Sequence, residues 1–238
     1  MKRLHIYNSP DEVISNYAAY FIKTAKESIQ ENGKFTVVLS GGNSPKSVFE
    51  LLAKEYAHAI DWTGVYFFFG DERYVLSNDP DSNALMAKEA LFNPLNIQEN
   101  QVFTVDTTLE VKMAAADYNK KIGQFFDGQE IAFDLVMLGL GDDAHTASLF
   151  PGTEVLNDEV SGVSHVYISG KDVFRITMTA QMINDARNIA FLVFGKNKAE
   201  AVQHVMEGEQ NISLFPAQLI DKKAEWFMDE AAAKLIAV

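Results

Sequence analysis

Asp143 and His145 stand two positions apart in the stretch Gly-Leu-Gly-Asp-Asp-Ala-His-Thr-Ala-Ser-Leu-Phe-Pro, residues 139–151. An acid and an imidazole delivered just beyond a glycine turn suit proton transfer, since imidazole changes charge near neutral pH and a carboxylate can hold it in one orientation. Ser40-Gly41-Gly42-Asn43-Ser44-Pro45-Lys46 offers a different capacity. Its glycines let the backbone turn with N–H groups unpaired ahead of a helix, and Ser40, Ser44 and Lys46 add donors, which together suit an anion. A tight turn with a good helix cap would use the same residues. No glycine directly precedes Lys46, so this is not a Walker A loop and a nucleoside triphosphate is not implied.

Both stretches begin where a buried strand ends. Residues 133–138 are apolar apart from Asp134, and residues 35–39 and 65–69 read as further strands covered on both faces. The third of these runs into Gly70-Asp71-Glu72-Arg73, where a solvated turn or an internal ion pair of Arg73 competes with a functional reading. A strand over 189–194 leads through Gly195 into a helix over 196–206 with Lys198 near its start. Elsewhere the patterning predicts strands over 2–7, 102–105, 165–168, 175–178 and 225–228. Helices are expected from Pro10 to Gly33, over 83–92, from about Leu109 to Phe126 with Thr108 as its cap, over 180–186, and over 230–236. Residues 214–220, with Pro216, read as extended.

Strands alternating with helices imply an α/β fold: a mainly parallel sheet flanked by helices on both faces, Rossmann-like and three-layered, with a small additional strand-containing region, in one domain over 1–238. In such a sheet the strand-to-helix loops share one edge, where α/β proteins bind ligands. The loops at Ser40, Gly70, Gly139 and Gly195 therefore form one rim. Lys46, Arg73 and Lys198 with the Gly41-Gly42 backbone would hold an anion there, beside Asp143 and His145. Arg175 starts its strand instead of ending it and reaches the rim only if that strand runs antiparallel.

Composition narrows the partners. The formal charge of −13 over 238 residues speaks against a broad nucleic-acid or anionic-membrane surface, so basic ligands for an anion must be gathered locally. No apolar run approaches the roughly 20 residues of a membrane span, and the N-terminus lacks a signal-peptide pattern. With no cysteine, thiolate chemistry and disulfides are excluded, and a cytoplasmic protein is expected. No two histidines share a helix face at ligand spacing, so a metal site is not expected; His5, His58, His165 and His204 read as packing or surface. Gly139, Gly141 and Ala144 loosely match a dinucleotide fingerprint, but Asp142 and Asp143 would face the pyrophosphate and no ribose-binding acid follows at the right distance.

Taken together, Ser40-Gly41-Gly42 with Ser44, Gly70-Asp71-Glu72-Arg73, the segment from Gly139 through His145-Thr146-Ala147-Ser148-Leu149-Phe150-Pro151, Arg175-Ile176-Thr177, Gly195-x-x-Lys198-Ala199 and the tail Trp226-Phe227-x-Asp229-Glu230-Ala231-Ala232 resemble the 6-phosphogluconolactonase family nearly end to end. That family shares its fold with glucosamine-6-phosphate deaminases and ribose-5-phosphate isomerases. The resemblance implies hydrolysis of 6-phosphogluconolactone in the oxidative pentose phosphate pathway without a cofactor. It also implies phosphate ligands at Ser40, Gly41, Gly42, Ser44, Arg73, Arg175 and Lys198, and His145 as catalytic base; the residues themselves suggest that Asp143 orients the imidazole or holds a sugar hydroxyl. A monomer is the working expectation. The family usually has glycine where this chain has Ala144, so a required positive φ there would cost alanine about 1 kcal/mol. Two rivals remain. The deaminase loop resembles Asp-Gly-His-Ile-Ala-Phe-Asn-Glu-Pro, with a glutamate where this chain has Phe150, and a catalytically silent sugar-phosphate sensor could use the same scaffold.

Overall fold

The structure, a computed structural model, describes residues 3–221 and 223–237, with Lys171 by its backbone alone. Lys2, where the expected first strand opens, lies outside them. In chain order the elements are β1 (Arg3–Tyr7), α1 (Pro10–Asn32), β2 (Phe35–Leu39), α2 (Asn43–Glu55), β3 (Val65–Phe69), β4 (Asp71–Arg73), α3 (Asn83–Ala87), α4 (Asn93–Leu95), α5 (Val111–Phe126), β5 (Leu135–Leu138), β6 (Val163–Ile168), β7 (Val173–Met178), α6 (Ala180–Asn184), β8 (Ile189–Val193), α7 (Ala199–Met206) and β9 (Glu225–Asp229).

The short apolar runs form a six-stranded sheet in the order β1-β9-β8-β5-β2-β3, every pairing parallel. Alternate residues of the central strands face opposite cores, which is why β5 and β8 are apolar throughout and buried. In β2, Val37 and Leu39 pack with Tyr17 and Phe21 of α1 and Phe49 of α2, while Val38 packs with Tyr118 of α5 and with Phe133. Helix α1 starts and stops on local signals. Ser9 Oγ accepts the N–H of Glu12, Pro10 occupies the first turn, and Gly33 closes the helix at φ 71° with its N–H on the Ile29 carbonyl.

A smaller antiparallel sheet, β4-β7-β6, supplies the additional region. It overturns the reading of Asp71-Glu72-Arg73 as a solvated turn, and the ion pairs among the described residues do not include Arg73. The segment is a strand whose Asp71 and Glu72 are buried, and Glu72 takes the N–H groups of Asn83 and Ala84 at 2.7 and 2.8 Å, fastening the start of α3. Burial pushes the Glu72 carboxyl up, and those N–H groups act against the shift. Arg175 lies opposite Arg73 in this antiparallel pair, which meets the condition set for it.

Other departures are local. Residues 102–105 make a single bridge, Val102 to Phe67, instead of a strand. Glu110, not Thr108, caps α5, because the Thr108 hydroxyl is taken by Asp106 at 2.6 Å. The helix over 83–92 changes to a π turn at Lys88–Phe92, and the one over 196–206 begins as a 3-10 turn, Lys196–Lys198. Pro216–Leu219 is a 3-10 turn, not an extended segment. Residues 230–236 form turns where a helix was expected: the Ala232 N–H is drawn to the Asp229 carboxylate, and a segment this short seldom repays helix nucleation.

Candidate functional site

The carboxyl ends of β2, β5 and β8 and the small sheet enclose a cleft of 280 Å³. The β2 side is made by Ser40, Gly41, Gly42 and Ser44. Gly42 adopts φ 101°, and no side chain caps α2, which leaves the first N–H groups of the helix for a ligand. Gly41 must lack a side chain, because a Cβ would collide with the Asn83 carboxamide. Lys46 does not join this wall. One turn into α2 it faces outward and approaches Glu50 at 3.8 Å, so its expected part in the anion site is withdrawn.

The opposite wall carries Arg73 and Arg175. Arg73 Nη1 donates to the Asp81 carbonyl at 2.5 Å, and Arg175 Nη1 lies 3.9 Å from the Asp71 carboxylate. Burial lowers the Arg175 guanidinium from its ordinary value against the pull of Asp71, yet arginine stays charged at any working pH. The Nε atoms of both arginines are buried without a hydrogen-bond partner, as is Asn83 Oδ1. Native interiors rarely leave such groups unmet, since each costs about 1–3 kcal/mol, so two orphaned cationic donors on one wall mark a place for an anion. Asn83, Asp71 and Ser148, whose hydroxyl meets Asp71 at 2.5 Å, were not expected here. Asp71 and Ser148 stand in stretches that carry the family resemblance, which assigned them no role, and Asn83 carried no signal.

Between these walls, the loop after β5 folds back tightly. Gly141 N–H donates to the His145 carbonyl at 2.8 Å and Ala144 N–H to the Gly141 carbonyl at 3.0 Å. Asp143 Oδ1 accepts the His145 N–H at 3.2 Å and meets the ring at Nδ1, so Asp143 stands behind the imidazole instead of lining the cleft. Burial pushes the Asp143 carboxyl up, but its contacts with His145 prevail and hold it at about 2. It is therefore an anion at any working pH. An anion at Nδ1 keeps the proton of neutral imidazole on that nitrogen and leaves Nε2 as the base. Phe150 stacks on the ring, centroids 4.0 Å apart at 20°.

Ala144 and Ala147 both adopt left-handed backbone, φ 60° and 48°. The glycine-for-alanine departure thus falls where glycine is favoured. The Ala144 methyl, however, is buried in the core. Left-handed backbone costs alanine about 1–2 kcal/mol. Burying the methyl offsets about 0.8 kcal/mol, and the chain entropy glycine would lose offsets about 0.4–1 more. Ala144→Gly is therefore expected to change unfolding free energy by less than about 1 kcal/mol in urea melts; a larger gain would show that the loop is strained.

On the β8 side, Lys198 Nζ lies 2.5 Å from Asp142 Oδ1, which also accepts from Asn197 at 3.0 Å; Lys198 holds the Asp142 carboxyl below its usual range. The cleft thus gathers three cations and the imidazole in a chain of net charge −13. Depressions of 570 and 650 Å³ elsewhere are larger, but among the described residues neither is lined by a Lys or Arg. Chemistry, not size, singles out this cleft.

Fold and site together define an α/β protein with a cation-lined cleft at the carboxyl edge of a parallel sheet, beside an imidazole whose Nδ1 faces a carboxylate. Residues 8–228 match the family described as glucosamine-6-phosphate isomerases/6-phosphogluconolactonase, and the chain belongs to that family. It is 38% identical over 215 residues to a 6-phosphogluconolactonase of Synechocystis, covering 87% of each chain. It is 31% identical to a chloroplastic 6-phosphogluconolactonase of Arabidopsis thaliana, over 98% of this chain and 74% of that one. The solved 6-phosphogluconolactonase of Trypanosoma cruzi superposes with a TM-score of 0.89 at 27% identity, over 100% of this chain and 98% of that one. A monomeric glucosamine-6-phosphate deaminase, 21% identical with a TM-score of 0.82, shares the fold.

Proposed function

We propose that the protein hydrolyses 6-phospho-D-glucono-1,5-lactone to 6-phosphogluconate, the lactone-opening step of the oxidative pentose phosphate pathway. The observation that carries this reading is the meeting, in one cleft, of orphaned arginine donors and an imidazole whose Nδ1 is held by a carboxylate. Ser40, Gly41, Gly42, Ser44, Arg73, Arg175 and Lys198 are assigned to the phosphate. Their uncapped N–H groups and cations match its charge and its several acceptor oxygens. A lactone carbonyl is already electrophilic, so the remaining need is an activated water and stabilisation of the oxyanion. His145 Nε2 takes a proton from the water attacking C1. The resulting imidazolium is stabilised by Asp143 and returns the proton to the ring oxygen as the ester bond breaks. The identity matches with 6-phosphogluconolactonases support the substrate. The working form is proposed as a monomer in the cytoplasm, the latter in keeping with a chain free of cysteine.

Phe150 stands where the deaminase loop carries a glutamate, and its ring, stacked on His145, cannot move a proton. The test is therefore paired. Freshly prepared lactone, supplied at slightly acidic pH where spontaneous opening is slow, should be turned over, while glucosamine 6-phosphate should release no ammonia. Ammonia release would replace the proposal with the deaminase reading. Tight binding of 6-phosphogluconate without turnover would replace it with a sensor.

A further inference from the structure

The turn that precedes Lys198 is met by a residue at the end of the last strand, β9. Strand β9 runs parallel beside β8 with Met228 opposite Val193, so Asp229 lies one step beyond, where Phe194 and Gly195 leave the sheet. Gly195 has φ 98° and ψ 146°, a region that suits glycine almost alone, and no side chain caps the turn that follows it. The Gly195 N–H lies 3.0 and 3.1 Å from the two carboxylate oxygens of Asp229, and the Ala232 N–H donates to the same Oδ1 at 2.8 Å. The Gly195 carbonyl then accepts the N–H of Lys198 at 3.0 Å.

Asp229 is 4% exposed, and the ion pairs among the described residues do not include it. A buried carboxylate is costly unless its oxygens are hydrogen-bonded, and here backbone N–H groups meet them. An apolar residue would fill the place without that cost but would leave the Gly195 N–H unmet. We propose that Asp229 is a positioning residue for ligand binding: by fixing Gly195 it sets the turn that carries Lys198 into the cleft. This rests on the assignment of Lys198 to the phosphate.

The test is a double-mutant cycle in the intact protein, with steady-state kinetics on fresh lactone. Lys198→Ala should raise KM by about tenfold or more, the effect of losing one charge-assisted hydrogen bond. An unchanged KM would overturn the role of Lys198, and the inference with it. With Lys198 present, Asp229→Ala should raise KM roughly tenfold, the change falling on KM and not on kcat. In the Lys198→Ala background it should add nothing, because the two act as a unit. Equal increments in both backgrounds, or a loss confined to kcat, would overturn the role of Asp229 while leaving that of Lys198 standing. Asp229→Leu fills the place without offering an acceptor to the Gly195 N–H, and it decides the matter if the alanine variant does not fold. A KM raised only when Lys198 is present supports the inference, and a wild-type KM overturns it.

Discussion

Replacing His145 with alanine is expected to lower kcat for the phosphorylated lactone by about two to four orders of magnitude, the usual contribution of a positioned general base. KM should move little, since the groups assigned to the phosphate belong to other loops of the cleft. The geometry also explains why the loss should not be larger. The uncapped start of α2 and the orphaned arginine donors remain in the variant, and a bound, oriented lactone opens faster than a free one even without a base. The measurement is initial rate against lactone concentration, corrected for spontaneous opening, with circular dichroism to show that the variant folds. Turnover within a few-fold of wild type would remove His145 from the mechanism and leave Asp143 without a role.

Much of this site could be read before the structure, because it depends on local pattern and on one rule of α/β topology. Each contributing loop follows an apolar strand, and parallel strands deliver such loops to one edge. Ser40, His145 and Lys198 meet in the cleft for that reason. Arg175 was conditional, because its position depends on how two segments about 100 residues apart pair, and no local pattern records that β7 runs against β4. Lys46 failed for the opposite reason. Its loop was correct, but the helical turn after Gly42 had already carried it to the outer face beside Glu50.

What stayed hidden is mostly polar and long-range. Asp71, Asn83 and Ser148 meet through contacts that join β4, the start of α3 and the loop after β5, and each type alone suits a turn or cap as well as a buried network. Asp229 shows the same limit in the fold. It falls between the strand expected over 225–228 and the helix expected over 230–236, but its buried carboxylate claims the N–H groups of Gly195 and Ala232 and turns the chain there. Ala144 joins both levels. Sequence posed the question of a positive φ, and only the structure could add that the methyl is buried, so that the two effects nearly cancel.

Gly141→Ala is expected to cost kcat about two orders of magnitude, even though alanine is a small residue and the φ of Gly141 lies outside the left-handed region. The cause is collision. A Cβ at residue 141 would overlap Nδ1 and Cε1 of the His145 ring and reach Asp143 Oδ1. The ring cannot simply tilt away, because Asp143 holds Nδ1, Phe150 stacks on its face, and the 141–145 hydrogen bond fixes its backbone. Displacement by about 1 Å is enough to lose roughly 10²-fold when proton transfer needs a set distance. Overpacking here should cost about 1–3 kcal/mol of stability, so purified protein and a thermal melt accompany the kinetics. The deciding comparison is the double variant. In His145→Ala the offending ring is gone, so adding Gly141→Ala should lower the rate no further, and the two losses should be far from additive. Should Gly141→Ala alone keep wild-type turnover, the imidazole would have to work from a different place than the one in which Asp143 and Phe150 hold it.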